Sequence, residues 1–230
     1  MSVRFAIPDV RHYRQGPNIV GNGRLIKTHE PYRGVYKKAV YIVRDPRDVA
    51  VSLHEHDRPN QALDRFVKSF VLGKATGHGS WYGNVRSWLD SPLASDGNLL
   101  LIKYETMLTD TEDTLASVLR FLGVTVEPEA IRFAIANNNL QRMRAKEDRA
   151  RATGVEVSGE KIRSQGRGVR NGSIGEWRTR LTDAQVKLIE DHARELLEEL
   201  GYHSTLNGTG FESSADETGL DDTVPAGEFG

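Results

Sequence analysis

The alternation of apolar and polar positions divides the chain into short apolar runs and longer amphipathic stretches. Arg24–Thr28 and Leu99–Ile102 are short buried strand candidates. Ala39–Val43 is the clearest one, a continuous β-branched and aromatic run. Asp45-Pro46 follows it directly, an N-cap residue and a first-turn proline, so a helix to about His56 is expected. Helical spacing recurs at Leu63, Phe66, Val67 and Phe70, and again at Trp81, Val85, Trp88 and Leu89. Thr109–Glu112 has the form of a capping box before a helix over 115–122, closed by Gly123. A helix over 129–138 follows Pro128. A second capping box, Thr182–Gln185, opens a helix that runs to Leu200, with Gly201 as its stop.

Strands that are continuous apolar runs separated by helices predict an α/β fold with a parallel sheet covered on both faces. Such a sheet binds ligands beyond the carboxyl ends of its strands. All three strand candidates end in polar or cationic groups: Lys27-Thr28-His29, Arg44-Asp45 and Lys103-Tyr104-Glu105. One such ending is ordinary; three on one edge predict a pocket for an anion.

Composition changes the picture in one respect. The chain has 230 residues, 31 Lys+Arg and 32 Asp+Glu, for a net charge of −1. Six of those acids, and no base, lie in Ser204–Gly230 (Glu212, Asp216, Glu217, Asp221, Asp222 and Glu228). The first 203 residues therefore carry 31 basic and 26 acidic groups, a net of +5. The expectation is one domain over 1–203 and a disordered acidic tail over 204–230. Cysteine is absent, which removes disulfides, thiol nucleophiles and Cys-based metal sites. No apolar run approaches the roughly 20 residues that span a bilayer, and the first 15 residues lack a signal-peptide core, so a cytoplasmic location is expected. Gln141–Glu176 is rich in Arg, Lys and Gly, poor in apolar residues, and too long for an ordinary connection.

Arg44, at a strand end and before a helix, is placed to meet a phosphate with two parallel hydrogen bonds, and the helix amino end adds partial positive charge. Ser52 lies one turn beyond Asp48 and can donate to the same group. The competing reading pairs Arg44 with Asp45 or Asp48 and leaves Ser52 facing solvent. His29 precedes Glu30-Pro31, which fixes an extended loop, and a neutral imidazole there can act as a general base. Lys27, two residues back on an extended chain, points to the same side. Arg170-Asn-Gly172-Ser-Ile-Gly175-Glu-Trp177 supplies a cation and glycines that let backbone N–H groups converge on an anion, with Trp177 as a core anchor. The alternative for that segment is a solvated Arg/Gly loop. The Trp81/Trp88 stripe reads as core. His54, Glu55, His56 and Asp57 match no closed tetrahedral set, so no metal is assigned.

Taken together, these segments resemble the PAPS-dependent sulfotransferases of cytosolic type (PAPS is 3′-phosphoadenosine 5′-phosphosulfate). Val40-Tyr-Ile-Val-Arg-Asp-Pro-Arg-Asp-Val-Ala-Val-Ser52 is similar to that family's 3′-phosphate-binding segment. Leu25-Ile-Lys-Thr-His-Glu-Pro31 resembles the strand and loop of its catalytic base, and Gly79–Trp88 its central helix. Leu101-Ile-Lys-Tyr-Glu-Thr-Met107 resembles the strand whose Tyr approaches adenine, and Arg170–Trp177 its C-terminal loop. The order holds across roughly residues 24–203.

The resemblance implies a P-loop-NTPase-like parallel sheet flanked by helices. It implies sulfuryl transfer from PAPS to a hydroxyl or amine of a small-molecule or glycan acceptor, with no metal, nucleic acid or membrane partner; the oligomeric state stays open. His29 would be the general base and Lys27 the transition-state stabiliser. Arg44, Ser52, Arg170 and the backbone near Gly172 would hold the 3′-phosphate, and Tyr104 would contact adenine. The acceptor-lining loops would be His54–Gly79 and Gln141–Gln165. Three departures stand out. The family's first strand and 5′-phosphosulfate P-loop have no counterpart, so the fold is expected to be N-terminally incomplete. Asn171 stands where the family has Lys, and Leu140 near where an aromatic stacks on adenine. The dimerisation motif would fall at Arg178–Lys187, where the match is poor. The alternative function is a catalytically degenerate or fragmentary relative that binds a 3′-phosphonucleotide or a protein partner.

Overall fold

The computed structural model describes residues 25–152 and 172–203. Arg170 and the acidic tail lie outside the described residues. Strand β1 (Ala39–Val43) pairs in parallel with β2 (Leu99–Lys103), Ala39 opposite Leu99 and Val43 opposite Lys103. The helices are α1 (Pro46–Asp57), α2 (Leu63–Val71), α3 (Trp81–Leu89), α4 (Pro92–Ser95), α5 (Tyr104–Thr109), α6 (Thr111–Phe121), α7 (Pro128–Asn137), α8 (Leu140–Ala152), α9 (Trp177–Arg180) and α10 (Asp183–Glu199).

The sequence signals account for most of these boundaries. Asp45 caps α1 by accepting from the Arg47 amide, with Pro46 in the first turn. Ser80 caps α3 through the Gly83 amide. Thr182 and Gln185 form the reciprocal capping box of α10. The core has two parts that share α10. Ala50 and Val51 of α1 meet Phe66, Val67 and Phe70 of α2, Trp177, Val186 and Ile189. Val43 of β1 meets Val85 of α3 and Leu196 and Leu200 at the end of α10. An amphipathic α10 thus buries one stripe against α1, α2 and α3.

Four expectations are corrected. Arg24–Thr28 is not a strand over its described residues; only Lys27 forms an isolated bridge. A strand persists only through a ladder partner, and among the described residues the sheet holds β1 and β2. The sheet is not covered throughout: Ile42 is 51% exposed and Leu101 36%. Thr109 does not open a capping box. It ends α5, where its hydroxyl donates to the carbonyls of Glu105 and Thr106, and Asp110 precedes α6 without a side-chain cap. Part of Gln141–Glu176 is helical, since α8 extends to Ala152.

One polar group sits at the centre of this packing. Arg47 is 2% exposed. It donates through Nε and Nη2 to Asp45, at 2.9 and 2.7 Å, and through Nη1 to Glu190 of α10 at 2.6 Å. Nη1 also donates to the carbonyl of His203 at 3.1 Å. The guanidinium lies 4.0 Å from the centre of the Trp177 ring. Burial alone lowers its proton affinity, but the hydrogen bonds and charges of Asp45 and Glu190 more than reverse this and raise it. Arg47→Ala leaves two buried carboxylates without their cation and is expected to lower unfolding free energy by about 3–5 kcal/mol. Urea denaturation of wild type and variant measures this.

Candidate active site

Arg44 stands between the end of β1 and the cap of α1, and it is fixed from three sides. Its carbonyl accepts from Trp81 Nε1 at 3.1 Å. Its guanidinium lies 4.6 Å from the centre of the Tyr104 ring, at the first residue of α5. Its Nη2 donates to the carbonyl of Ser173 at 3.0 Å. A longer ion pair, 3.6 Å, joins Nη2 to Asp48. Arg44 Nε is buried without a hydrogen-bond partner among the described residues. A buried guanidinium N–H left unpaired costs free energy, and an anion entering here would satisfy it.

Asp48 explains how the 172–177 loop reaches Arg44. Its carboxylate is 1% exposed and accepts from the amides of Gly175, at 2.7 Å, and Trp177, at 3.0 Å. The expected pairing of Arg44 with Asp48 is present, and the same carboxylate also secures the glycine loop. Gly172 adopts φ +60°, the left-handed region that glycine tolerates best, and an added Cβ would lie 3.8 Å from Leu140 Cδ2. Trp177 is 3% exposed and anchors the loop in the core, as its sequence position predicts. Ser52 is half-buried on α1 and makes no side-chain hydrogen bond among the described residues. The amide of Arg47 is committed to Asp45, so that N–H of the α1 amino end is not available to a ligand.

The structure therefore unites Arg44, Tyr104 and the loop of Gly172. Lys103 departs from that group: its ammonium lies 5.0 Å from the centre of the Tyr202 ring. Lys27 and His29 are both exposed, and His29 stands apart from the Arg44 group. The His29 carbonyl accepts from Asn84 Nδ2 at 3.0 Å, and its ring faces that of His78 with centroids 5.9 Å apart. Helix α3 links the two, because Trp81 holds Arg44 and Asn84 holds His29. The Trp81/Trp88 stripe is core: Trp88 is 4% exposed and Trp81 packs against both parts of the core. Trp88 packs among Tyr32, Tyr36 and Tyr41, while Trp81 spends its indole N–H on the site.

Sequence reading singled out neither Asn84 nor His78, and it missed the bridging role of Glu105 and the loop-holding role of Asp48. Asn84 had a usable signal, since it lies three residues after Trp81 and four before Trp88, on the buried stripe. Glu105 had none: it joins Asp45 N at 3.0 Å to the Tyr202 hydroxyl at 2.9 Å, across 97 residues. Among the described residues no group of three metal-ligating side chains occurs, and no helix is long and apolar enough to cross a membrane.

Comparison with known proteins finds relatives of one kind. The profile of the sulfotransferase domain family matches residues 11–201. Sulfotransferase 2A1 of Homo sapiens is 28% identical over 194 residues, covering 77% of this chain and 66% of that protein. The 3-alpha-hydroxysteroid sulfotransferase of Cavia porcellus is 26% identical over 161 residues, covering 66% and 53%. The solved structure of mouse sulfotransferase SULT7A1 complexed with PAP superposes with a TM-score of 0.63 at 25% identity, covering 80% of this chain and 72% of that one. Retinol dehydratase in complex with androsterone and inactive cofactor PAP shares the fold, with a TM-score of 0.61 at 24% identity, covering 79% and 55%. The chain spans 65% and 66% of the length of two curated relatives, the sulfotransferases 2A1 of Macaca fascicularis and Homo sapiens.

The Glu105–Tyr202 bond carries a pH signature. Burial, and then the adjacent Glu105 carboxylate, raise the Tyr202 hydroxyl well above the ordinary tyrosine value of 10.0. The folded chain therefore keeps the phenol neutral where the unfolded chain ionises it. The stability this contributes is complete below pH 10.0 and drains away as pH rises beyond it. Unfolding free energy from urea titrations is expected to fall over about pH 9–11 in wild type. In Tyr202→Phe that fall is shallower.

Proposed function

The chain belongs to the sulfotransferase domain family, and from that premise we propose that it transfers a sulfuryl group from PAPS to a hydroxyl or amine of a small acceptor. The observation that carries this reading is Arg44: a strand-end guanidinium whose buried Nε has no partner among the described residues, set between the Tyr104 ring and the glycine loop. Those residues fit a nucleotide bearing a 3′-phosphate. Arg44, Ser52 and Arg170 hold that phosphate, with backbone help at Gly172, and Tyr104 lies against the adenine. Leu140, beside Gly172, closes the same side with aliphatic surface.

PAPS when bound supplies an activated sulfuryl group; the chain supplies position and charge. His29 takes the proton from the acceptor hydroxyl as the acceptor oxygen closes on sulfur. Lys27 stabilises the negative charge that builds on the oxygen leaving with the 5′-phosphate. Acceptors of hydroxysteroid type are named for the Cavia porcellus relative, and a small hydroxylated molecule is the acceptor class proposed here. The domain is taken as 1–203 and the location as cytoplasmic. The second reading, nucleotide binding without turnover, draws on the Arg44–Asp48 ion pair, which already answers part of the guanidinium charge.

Nucleotide binding and turnover separate these readings. In thermal-shift titrations 3′,5′-ADP is expected to stabilise the chain more than 5′-AMP. Arg44→Ala reduces 3′,5′-ADP affinity by roughly 10- to 100-fold, the worth of a charged hydrogen bond. Equal shifts from both nucleotides would remove Arg44 and Ser52 from the site. His29→Ala is expected to lower sulfation by about 100-fold or more while leaving 3′,5′-ADP affinity intact. Undiminished turnover in that variant takes His29 out of the mechanism, and sulfation absent from wild type despite 3′,5′-ADP binding supports the second reading.

A further inference from the structure

The loop between α2 and α3 closes tightly on itself. Gly73 has φ +70°, and a Cβ there would stand 2.5 Å from Ser80 N and 2.8 Å from Gly79 C. This backbone-to-backbone approach brings His78, next to Gly79, to the amino end of α3. The His78 amide donates to Thr76 Oγ1 at 3.2 Å, which sets the last turn of the loop. Asn84 then joins this loop to the one that carries His29. Its Nδ2 donates to the His29 carbonyl at 3.0 Å and to the His78 carbonyl at 3.4 Å. Its Oδ1 accepts from the Tyr41 hydroxyl at 3.0 Å. Burial raises the Tyr41 hydroxyl well above the ordinary tyrosine value, so it stays a donor.

Two imidazoles from different loops are thereby held with centroids 5.9 Å apart and planes tilted by 42°. They do not form a closed core pair, since His29 is exposed and His78 half-buried. Nor do they make a metal centre, since no third ligand joins them among the described residues. A hydroxyl oxygen makes hydrogen bonds of about 2.7–2.8 Å, so one hydroxyl spans two ring nitrogens about 4–5.5 Å apart. A centroid separation of 5.9 Å admits ring nitrogens at that spacing.

We propose that His78 is a second imidazole of the acceptor site, whose ring N–H donates to the acceptor oxygen and leaves the acceptor O–H directed at His29. The proposal rests on the assignment of His29 above. In the transfer step the acceptor O–H bond breaks and its proton passes to His29. The new oxygen–sulfur bond forms, and the old sulfur–oxygen bond breaks with its electron pair remaining on the 5′-phosphate. His78 gives up no proton and takes none. Asn84 is a positioning residue that fixes the spacing of the pair through both carbonyls.

The test uses the full chain saturated with 3′,5′-ADP, isotope-labelled histidine and 4-nitrophenol as the acceptor probe, followed by NMR. The ring signals of His29 and His78 are expected to shift together along one binding curve. His78→Gln keeps an N–H donor of similar reach and is expected to hold phenol affinity within about threefold. His78→Met, of similar size but without the donor, weakens it about tenfold. Affinity for 3′,5′-ADP is unchanged in both, which a merely structural role for His78 would not produce. Equal phenol affinity in the Gln and Met variants overturns the proposal. So does a chain that binds 3′,5′-ADP while neither histidine signal responds to the phenol, and the nucleotide assignment then survives. A chain that fails to prefer 3′,5′-ADP over 5′-AMP loses the nucleotide assignment, and this inference falls with it.

Discussion

The buried charge of Arg47 sets the conditions for everything around it. A guanidinium removed from water is tolerated only when its donors are met, and here they reach Asp45, Glu190 and the His203 carbonyl. Those partners belong to the cap of α1, the middle of α10 and the end of the described chain. Trp177 covers one face of the same group and begins α9. Satisfying one cation therefore brings four distant pieces of sequence to one point. The strand-to-helix turn that carries Arg44 has no freedom to move apart from them.

Two half-sites hang from this frame, and α3 sets their separation. Trp81 and Asn84 are three residues apart on one helix, about 4.5 Å along its axis. The first grips the carbonyl of Arg44 and the second that of His29. The proposed anion-binding residue and the proposed base are thus spaced by a rigid element, not by the loops on which they sit. Asp48 works the other half-site in the same manner, converting a glycine-rich loop into a fixed wall through two amide hydrogen bonds.

What the sequence disclosed followed from local physics. The run Ala39–Val43, the Asp45-Pro46 helix entry and the Thr182–Gln185 box each depend on neighbours within four residues, and each stands where it was expected. Trp177 was legible as an anchor because a lone large aromatic after glycines has few other uses. Failures came where distant partners decide. The first apolar run has a strand's composition but no partner strand among the described residues. Thr109 faced two competing uses, and the helix that forms over Tyr104–Thr109 claimed it. Lys103 looked like one more cation for the pocket, yet the Tyr202 ring draws it aside. Glu105 and Asn84 act across 97 and 55 residues, and no local pattern encodes that.

The closure of the loop at Gly73 bears on how this fold can diversify. The loop's ends are locked by main chain against main chain, so its shape does not depend on which side chains occupy its crest. Lys74 and Gly77 are exposed there, while Ala75 packs inward and Thr76 secures His78. Drift at the two outward positions leaves the frame untouched, whereas a side chain at Gly73 breaks it. The rim of the proposed acceptor side is in this sense modular: its outer chemistry can be rewritten by substitution while the coordinates of the proposed reacting groups are inherited unchanged.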